Sequence, residues 1–216
     1  MEAYKLDKIL VPINFSKTSL NALQTGIAMA ARHRAELLLV HIVVPDLVFV
    51  SHEGGILMDT GIDNYTRNAT RKLNDLAHQI HRDHDINCSC SVQSGPIIST
   101  IVKTANETGV NLIVIGSSFK PGWQTFLSGS PAFAVLKYAP CPVLTVPAYK
   151  QWLNFKQILF PIRPAVSAFE KYNYARTIIQ KNNAKLIIVG VLDRLRTKMF
   201  RVLDQESKYI ITLLTN

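Results

Sequence analysis

The residues best placed to do chemistry lie between positions 112 and 131. Leu112, Ile113, Val114 and Ile115 form an unbroken aliphatic run, the pattern of a strand covered on both faces. Gly116 ends the run, and a polar, glycine-containing loop follows. Gly129-Ser130-Pro131 then reads as a helix start, with Ser130 as N-cap and Pro131 at the first helical position. Strand, loop and helix N-terminus in that order make a site for an anion, because unpaired backbone N–H groups and the positive end of the helix dipole face the loop. Phosphate suits that chemistry. The plainer alternative is a loop that only turns the chain.

Other groupings carry less. Cys88-Ser89-Cys90 puts two thiols on one face of a strand, but no further cysteine cluster completes four metal ligands. His78, His81 and His84 recur at three-residue steps on a helix and read as an exposed polar face, since nothing supplies a third ligand for the first two. Cys141, between Pro140 and Pro142, reads as a buried structural thiol. The densest basic group is Arg194, Arg196, Lys198 and Arg201; it lacks interleaved aromatics and reads as a solvated face. No triad spacing, paired carboxylates or metal set appears, so the chain is predicted not to be an enzyme.

These residues need a scaffold to position them, and hydrophobic periodicity supplies one. A first strand is predicted over 8–13, followed by the turn Asn14-Phe15-Ser16. The next helix is expected to be capped by Thr18 or Ser19, with Leu20, Leu23, Ile27, Ala30 and Ala31 on its apolar face. A second buried strand spans 35–44 and stops at Pro45. Residues 45–61 form a long connection of the length used for lids, partner surfaces or disorder. A helix over 63–84 turns Leu73, Leu76 and Ile80 inward, and a more polar strand covers 87–92. Ser94-Gly95-Pro96 opens a helix through 106, which Gly109 stops. After the 112–115 strand come a helix over 131–138 and a strand over 143–146. Five strands alternating with four helices predict an α/β protein with a doubly wound parallel sheet. In such a sheet the turns after Ile13 and Ile115 meet over one crevice at the carboxyl ends of the strands.

Bulk composition fits this scaffold. A chain of 216 residues, 48% hydrophobic and 18% charged, can bury a real core. No apolar run reaches the roughly 18 residues of a membrane span, and the N-terminus lacks the long apolar core of a signal peptide. Three cysteines give an odd count without a disulfide framework, so a cytoplasmic location is expected. The net charge of +9 raises a polyanion partner, but the cations are scattered and nucleic acid is not the expected partner.

Three stretches together resemble the universal stress protein family: the opening Lys8-Ile9-Leu10-Val11-Pro12, the strand end Val40-His41-Ile42, and the close from Tyr138 through Ala139-Pro140-Cys141-Pro142 to Val146. The most specific match is the signature Gly-x2-Gly-x9-Gly-(Ser/Thr), which falls on Gly116, Phe119, Gly129 and Ser130. The resemblance spans residues 8–147. It implies strand order 3-2-1-4-5 and the universal stress protein / adenine nucleotide alpha hydrolase-like fold. It also implies ATP or another adenine nucleotide as ligand, magnesium only alongside nucleotide, and at most slow, incidental ATP hydrolysis. The residues it assigns to that site are Pro12, Ile13, Asn14, Ile42, Gly116, Phe119, Gly129 and Ser130. Two depart from the family pattern: Asn14 stands where ATP-binding members carry an acid, and Phe119 replaces the second glycine. Pairing of domains through the fifth strand, residues 143–146, implies a homodimer.

The opening of the chain then recurs. Phe155-Lys156-Gln157-Ile158-Leu159-Phe160-Pro161-Ile162 repeats the first strand at an offset of 149, which also carries 35–40 onto 184–189 without a gap. The expected organisation is a domain over 1–147, a linker over 148–154 and a truncated second copy over 155–216. That copy lacks the signature, carries Arg163 where the first has Asn14, and is expected to dock on the first domain or on a second chain. Residues 193–216 are either a strand of the degenerate copy or a partner surface. The predicted function is a stress-response binding and signalling protein of the universal stress type. Its rivals are a dimerisation scaffold that binds no nucleotide and a polyanion-binding module that uses the basic C-terminal tail.

Overall fold

In a computed structural model, the structure describes residues 4–44, 61–117, 131–149, 153–162, 171–191 and 210–214. They divide into two compact units, one over 6–153 and one combining the N-terminal residues with 154–216.

The larger unit is built on β1 (Lys8–Pro12), β2 (Glu36–Val43), β3 (Cys88–Ser94), β4 (Leu112–Ser117) and β5 (Val143–Pro147). All pairings are parallel and the order is β3-β2-β1-β4-β5, with Ile9 opposite both Leu37 and Leu112. The continuous apolar runs become the central strands because both of their faces are covered: Ile9, Leu10, Val11, Leu37, Leu39, Val40, Ile113 and Val114 are fully buried. Helices α1 (Lys17–His33) and α2 (Gly61–His84) pack on one face. Helices α3 (Ile97–Thr108) and α4 (Pro131–Tyr138) pack on the other, where Ile101, Ala105, Ala132 and Val135 meet Leu10, Leu38, Val40 and Ile113.

Helix ends follow local chemistry. The N-cap of α1 is Ser16, whose Oγ accepts from the Ser19 N–H at 3.2 Å, rather than Thr18 or Ser19 as the sequence suggested. Those two residues already lie in the first turn. Leu20 and Ala31 also leave the predicted apolar face for solvent, while Leu23, Ile27 and Ala30 are buried. Gly109 closes α3 in the left-handed conformation at φ 62°, as its glycine predicts.

The smaller unit holds β6 (Gln157–Ile162), α5 (Tyr172–Asn182), β7 (Lys185–Val191) and β8 (Ile210–Leu214), a parallel sheet in the order β6-β7-β8. Its pairing of Gln157 with Lys185 through Pro161 with Val189 reproduces, at the 149-residue offset, that of Lys8 with Glu36 through Pro12 with Val40. The left-handed C-caps of α1 and α5, Arg34 and Asn183, obey the same offset. Tyr4 belongs with this unit: its carbonyl accepts from Thr177 Oγ1 at 2.7 Å and its ring meets Tyr174 edge-on.

Candidate functional site

The turn after Ile13 and the end of β4 meet as the sequence required. They border a cleft of about 390 Å³ at the carboxyl edge of the large sheet. Pro12, Ile13, Asn14, Ile42 and Gly116, five of the predicted site residues, line it. Phe119, Gly129 and Ser130 lie outside the described residues, as does the basic group at 194–201.

The β1–α1 turn is held by a closed set of hydrogen bonds. The Ile13 N–H donates to the Val40 carbonyl at 2.8 Å, and the Ile13 carbonyl lies 2.7 Å from Nδ1 of buried His41. A carbonyl only accepts, so the His41 proton sits on Nδ1. Its Nε2 is buried and has no partner among the described residues. The Phe15 ring, on a residue at φ 59°, flanks the imidazole at 5.1 Å, and Tyr65 flanks it at 5.9 Å. The Asn14 N–H donates to Ser19 Oγ at 3.3 Å, while its Oδ1 accepts from the Ser16 N–H at 3.1 Å. Asn14 thus shapes the turn through one side-chain oxygen and stands exposed at the cleft.

Across the cleft, Gly116 is constrained by packing. A Cβ there would lie 2.6 Å from the Thr18 carbonyl oxygen and 2.9 Å from its carbon, so only glycine lets β4 approach the first turn of α1. The next residue, Ser117, is 1% exposed, lines the cleft, and has a hydroxyl with no partner among the described residues. First-turn residues of three helices contribute to the lining: Thr18 and Ser19 of α1, Ile97 of α3, and Pro131 and Ala132 of α4. The positive ends of three helix dipoles therefore border one hollow. Cap residue Pro96 of α3 offers no side-chain hydrogen bond to that helix. No lining residue among those described carries a charge.

Sequence reading found the glycine and the turn. It missed the Ser117 hydroxyl and the clamp of His41 on Ile13. A lone histidine inside an otherwise aliphatic strand was the available signal for the second; the first had none.

The other sequence candidates stay apart from the cleft. Exposed His78 and His84 lie along α2, and His81 Nδ1 lies 3.1 Å from the Ile86 carbonyl. Among the described residues no group of three potential ligands gathers around a metal position. All three cysteines are free and partly buried, and burial raises the Cys88 thiol to about 12, with a smaller contribution from Cys90, and the Cys141 thiol to about 11. No helix among the described residues is long and apolar enough to cross a membrane.

A parallel sheet in this order, with a cleft over the carboxyl ends of β1 and β4, defines a doubly wound α/β protein with a candidate site at the switch point of strand order. The chain belongs to the universal stress protein family, whose model matches residues 5–147. It is 33% identical over 150 residues to universal stress protein A homolog 2 of Coxiella burnetii, covering 68% of this chain and 97% of that protein. With universal stress protein YxiE of Bacillus subtilis it shares 28% over 145 residues, covering 65% of this chain and 98% of YxiE. A universal stress protein structure from Archaeoglobus fulgidus shares the fold at a TM-score of 0.71 and 19% identity, covering 91% of this chain and 70% of that one.

Proposed function

We propose that this universal stress protein binds an adenine nucleotide in the cleft between β1 and β4 and acts by binding and signalling rather than by catalysis. The observation that carries the reading is the buried Ser117 hydroxyl, unpartnered among the described residues, in a hollow bordered by three helix N-termini. Buried hydroxyls are normally hydrogen-bonded, and a phosphoryl or ribose oxygen would satisfy this one. Apolar Ile13, Ile42 and Ile115 offer a wall for a base, while helix dipoles offset phosphate charge without a cation. Among the described lining residues no carboxylate, imidazole or amine is present to move a proton, which favours binding over turnover.

Three further assignments belong to the same reading. Residues 155–216 repeat the first part of the family domain, supported by the shared strand register and C-cap positions. The chain pairs with another copy through the outer edge of β5. It works in a reducing, cytoplasmic setting, in keeping with three free thiols.

Thermal denaturation with ATP, ADP and AMP, with and without magnesium, tests the nucleotide. Ligand at a hundred times its dissociation constant stabilises by about 2.7 kcal/mol, so a clear rise in melting temperature is expected at millimolar nucleotide, with or without the metal. A flat response to all three overturns the reading and leaves the scaffold role.

A further inference from the structure

Among the described residues, the smaller unit presents an open sheet edge with a definable complement. In the larger unit β1 lies between β2 and β4, and Leu10 is 0% exposed beneath α3 and α4. At the matching place β6 has, among the described residues, β7 on one side and no strand on the other, and Leu159 is 63% exposed.

Backbone phase fixes what that edge offers. The Lys185 N–H donates to the Lys156 carbonyl at 2.9 Å, so residues 156, 158, 160 and 162 face β7 and the alternate ones face outward. Gln157 and Leu159 turn N–H and C=O to the open side, and Pro161 turns only a carbonyl there. This also explains how a proline fits inside β6.

In the larger unit the residue just before β4 makes the decisive contacts. Asn111 Oδ1 accepts the N–H groups of Asp7 and Lys8, each at 2.9 Å, and its own N–H donates to the Lys8 carbonyl. The matching residues Lys156 and Gln157 carry no such cap among the described residues. Charge differs as well: Asp7 and Glu36 become Lys156 and Lys185, both exposed, with exposed Lys181 at the end of α5. Residues 154–216 hold eleven Lys and Arg against four Asp and Glu.

We propose that β6 accepts a fourth, parallel strand from a partner protein, an extended apolar segment headed by aspartate and flanked by acidic residues. The aspartate carboxylate takes the place of the Asn111 amide, receiving two backbone N–H groups beside Lys156 and Lys185. Apolar residues that follow cover Leu159. Main-chain bonding along the edge selects a polypeptide over a nucleic acid, whose phosphates would use the cations and leave the edge unpaired. The inference does not depend on nucleotide in the cleft.

The probe is a labelled peptide of residues 109–117 carrying Asn111→Asp and two leading glutamates, titrated with the full chain by fluorescence anisotropy. The expected result is saturable binding at least tenfold weaker for a peptide with two leading lysines and Asn111→Lys. Leu159→Pro, which removes an outward N–H and spares the pairing with β7, is expected to weaken binding at least tenfold with an unchanged circular dichroism spectrum. Should that variant misfold, Leu159→Glu on the exposed face provides the same readout through charge and lost apolar contact. No binding at millimolar peptide, equal binding of acidic and basic peptides, or binding indifferent to the folded Leu159 variant would overturn the proposal. So would saturable binding of labelled oligouridylate that Lys156→Glu abolishes and an excess of the acidic peptide leaves unchanged, which would assign the surface to nucleic acid.

Discussion

At the scale of single residues, the contrast between Ser117 and Gly116 separates ligand chemistry from packing. Gly116 is glycine because the Thr18 backbone leaves no room for a side chain, whatever the cleft holds. Ser117 shows no such packing reason among the described residues, where its buried hydroxyl has no partner, and a buried hydroxyl left so is a liability to the folded state. Ser117→Ala is therefore expected to raise stability by about 0.5–1 kcal/mol in urea denaturation while weakening nucleotide binding several-fold. A variant that loses stability and keeps affinity would mark the hydroxyl as structural. The cysteines give a second prediction. Burial raises the folded Cys88 thiol from 9.0 to about 12 by disfavouring the thiolate. Because the folded value lies above the unfolded one, the protonated thiol's contribution to stability is complete below about 9 and is lost as pH rises toward 12. Alkylation by iodoacetamide at pH 8 should accordingly be slow in the native protein and fast in urea, as mass spectrometry of the Cys88 peptide would report.

Among the elements, legibility followed burial. Ile9 to Val11, Leu37 to Val40 and Leu112 to Ile115 were readable as strands because a parallel sheet covered on both sides demands uninterrupted apolar residues. The start of α1 was misread by two or three positions, since Ser16, Thr18 and Ser19 are all good caps and only backbone geometry chooses Ser16. Residues 210–214 could not be assigned from sequence alone: an apolar run at the end of a chain has no pattern that names its neighbour, and it proves to pair with β7. The role of His41 was hidden for a similar reason, because its partner, the Ile13 carbonyl, lies 28 residues away. Strand β5 carries the element-scale prediction. The Ile113 N–H donates to the Pro142 carbonyl, so by alternation the Thr145 N–H faces the outer edge. If copies pair there, Thr145→Pro removes a bond at the interface and spares β4, and sedimentation equilibrium should show the dimer shifting toward monomer. A dimer of unchanged affinity would place the contact elsewhere.

Over the whole molecule, a family domain over 5–147 is followed by a smaller unit that repeats its first strand pair in register. The two units have different surfaces to offer. The larger one closes its sheet with β4 and β5 and gathers helix N-termini over a hollow without charged side chains among the described residues. The smaller one shows three strands among the described residues and holds most of the net positive charge. On the proposals above, small-molecule binding falls to the first and partner recognition to the second. The most direct test of the nucleotide site is a titration of isotopically labelled protein with ADP followed by amide chemical shifts. Saturable changes centred on residues 13–19, Ile42, Ile97, Gly116, Ser117, Ala132 and the signature residues Phe119, Gly129 and Ser130 are the predicted result. Changes centred on any other surface, or none at millimolar ADP, would contradict it.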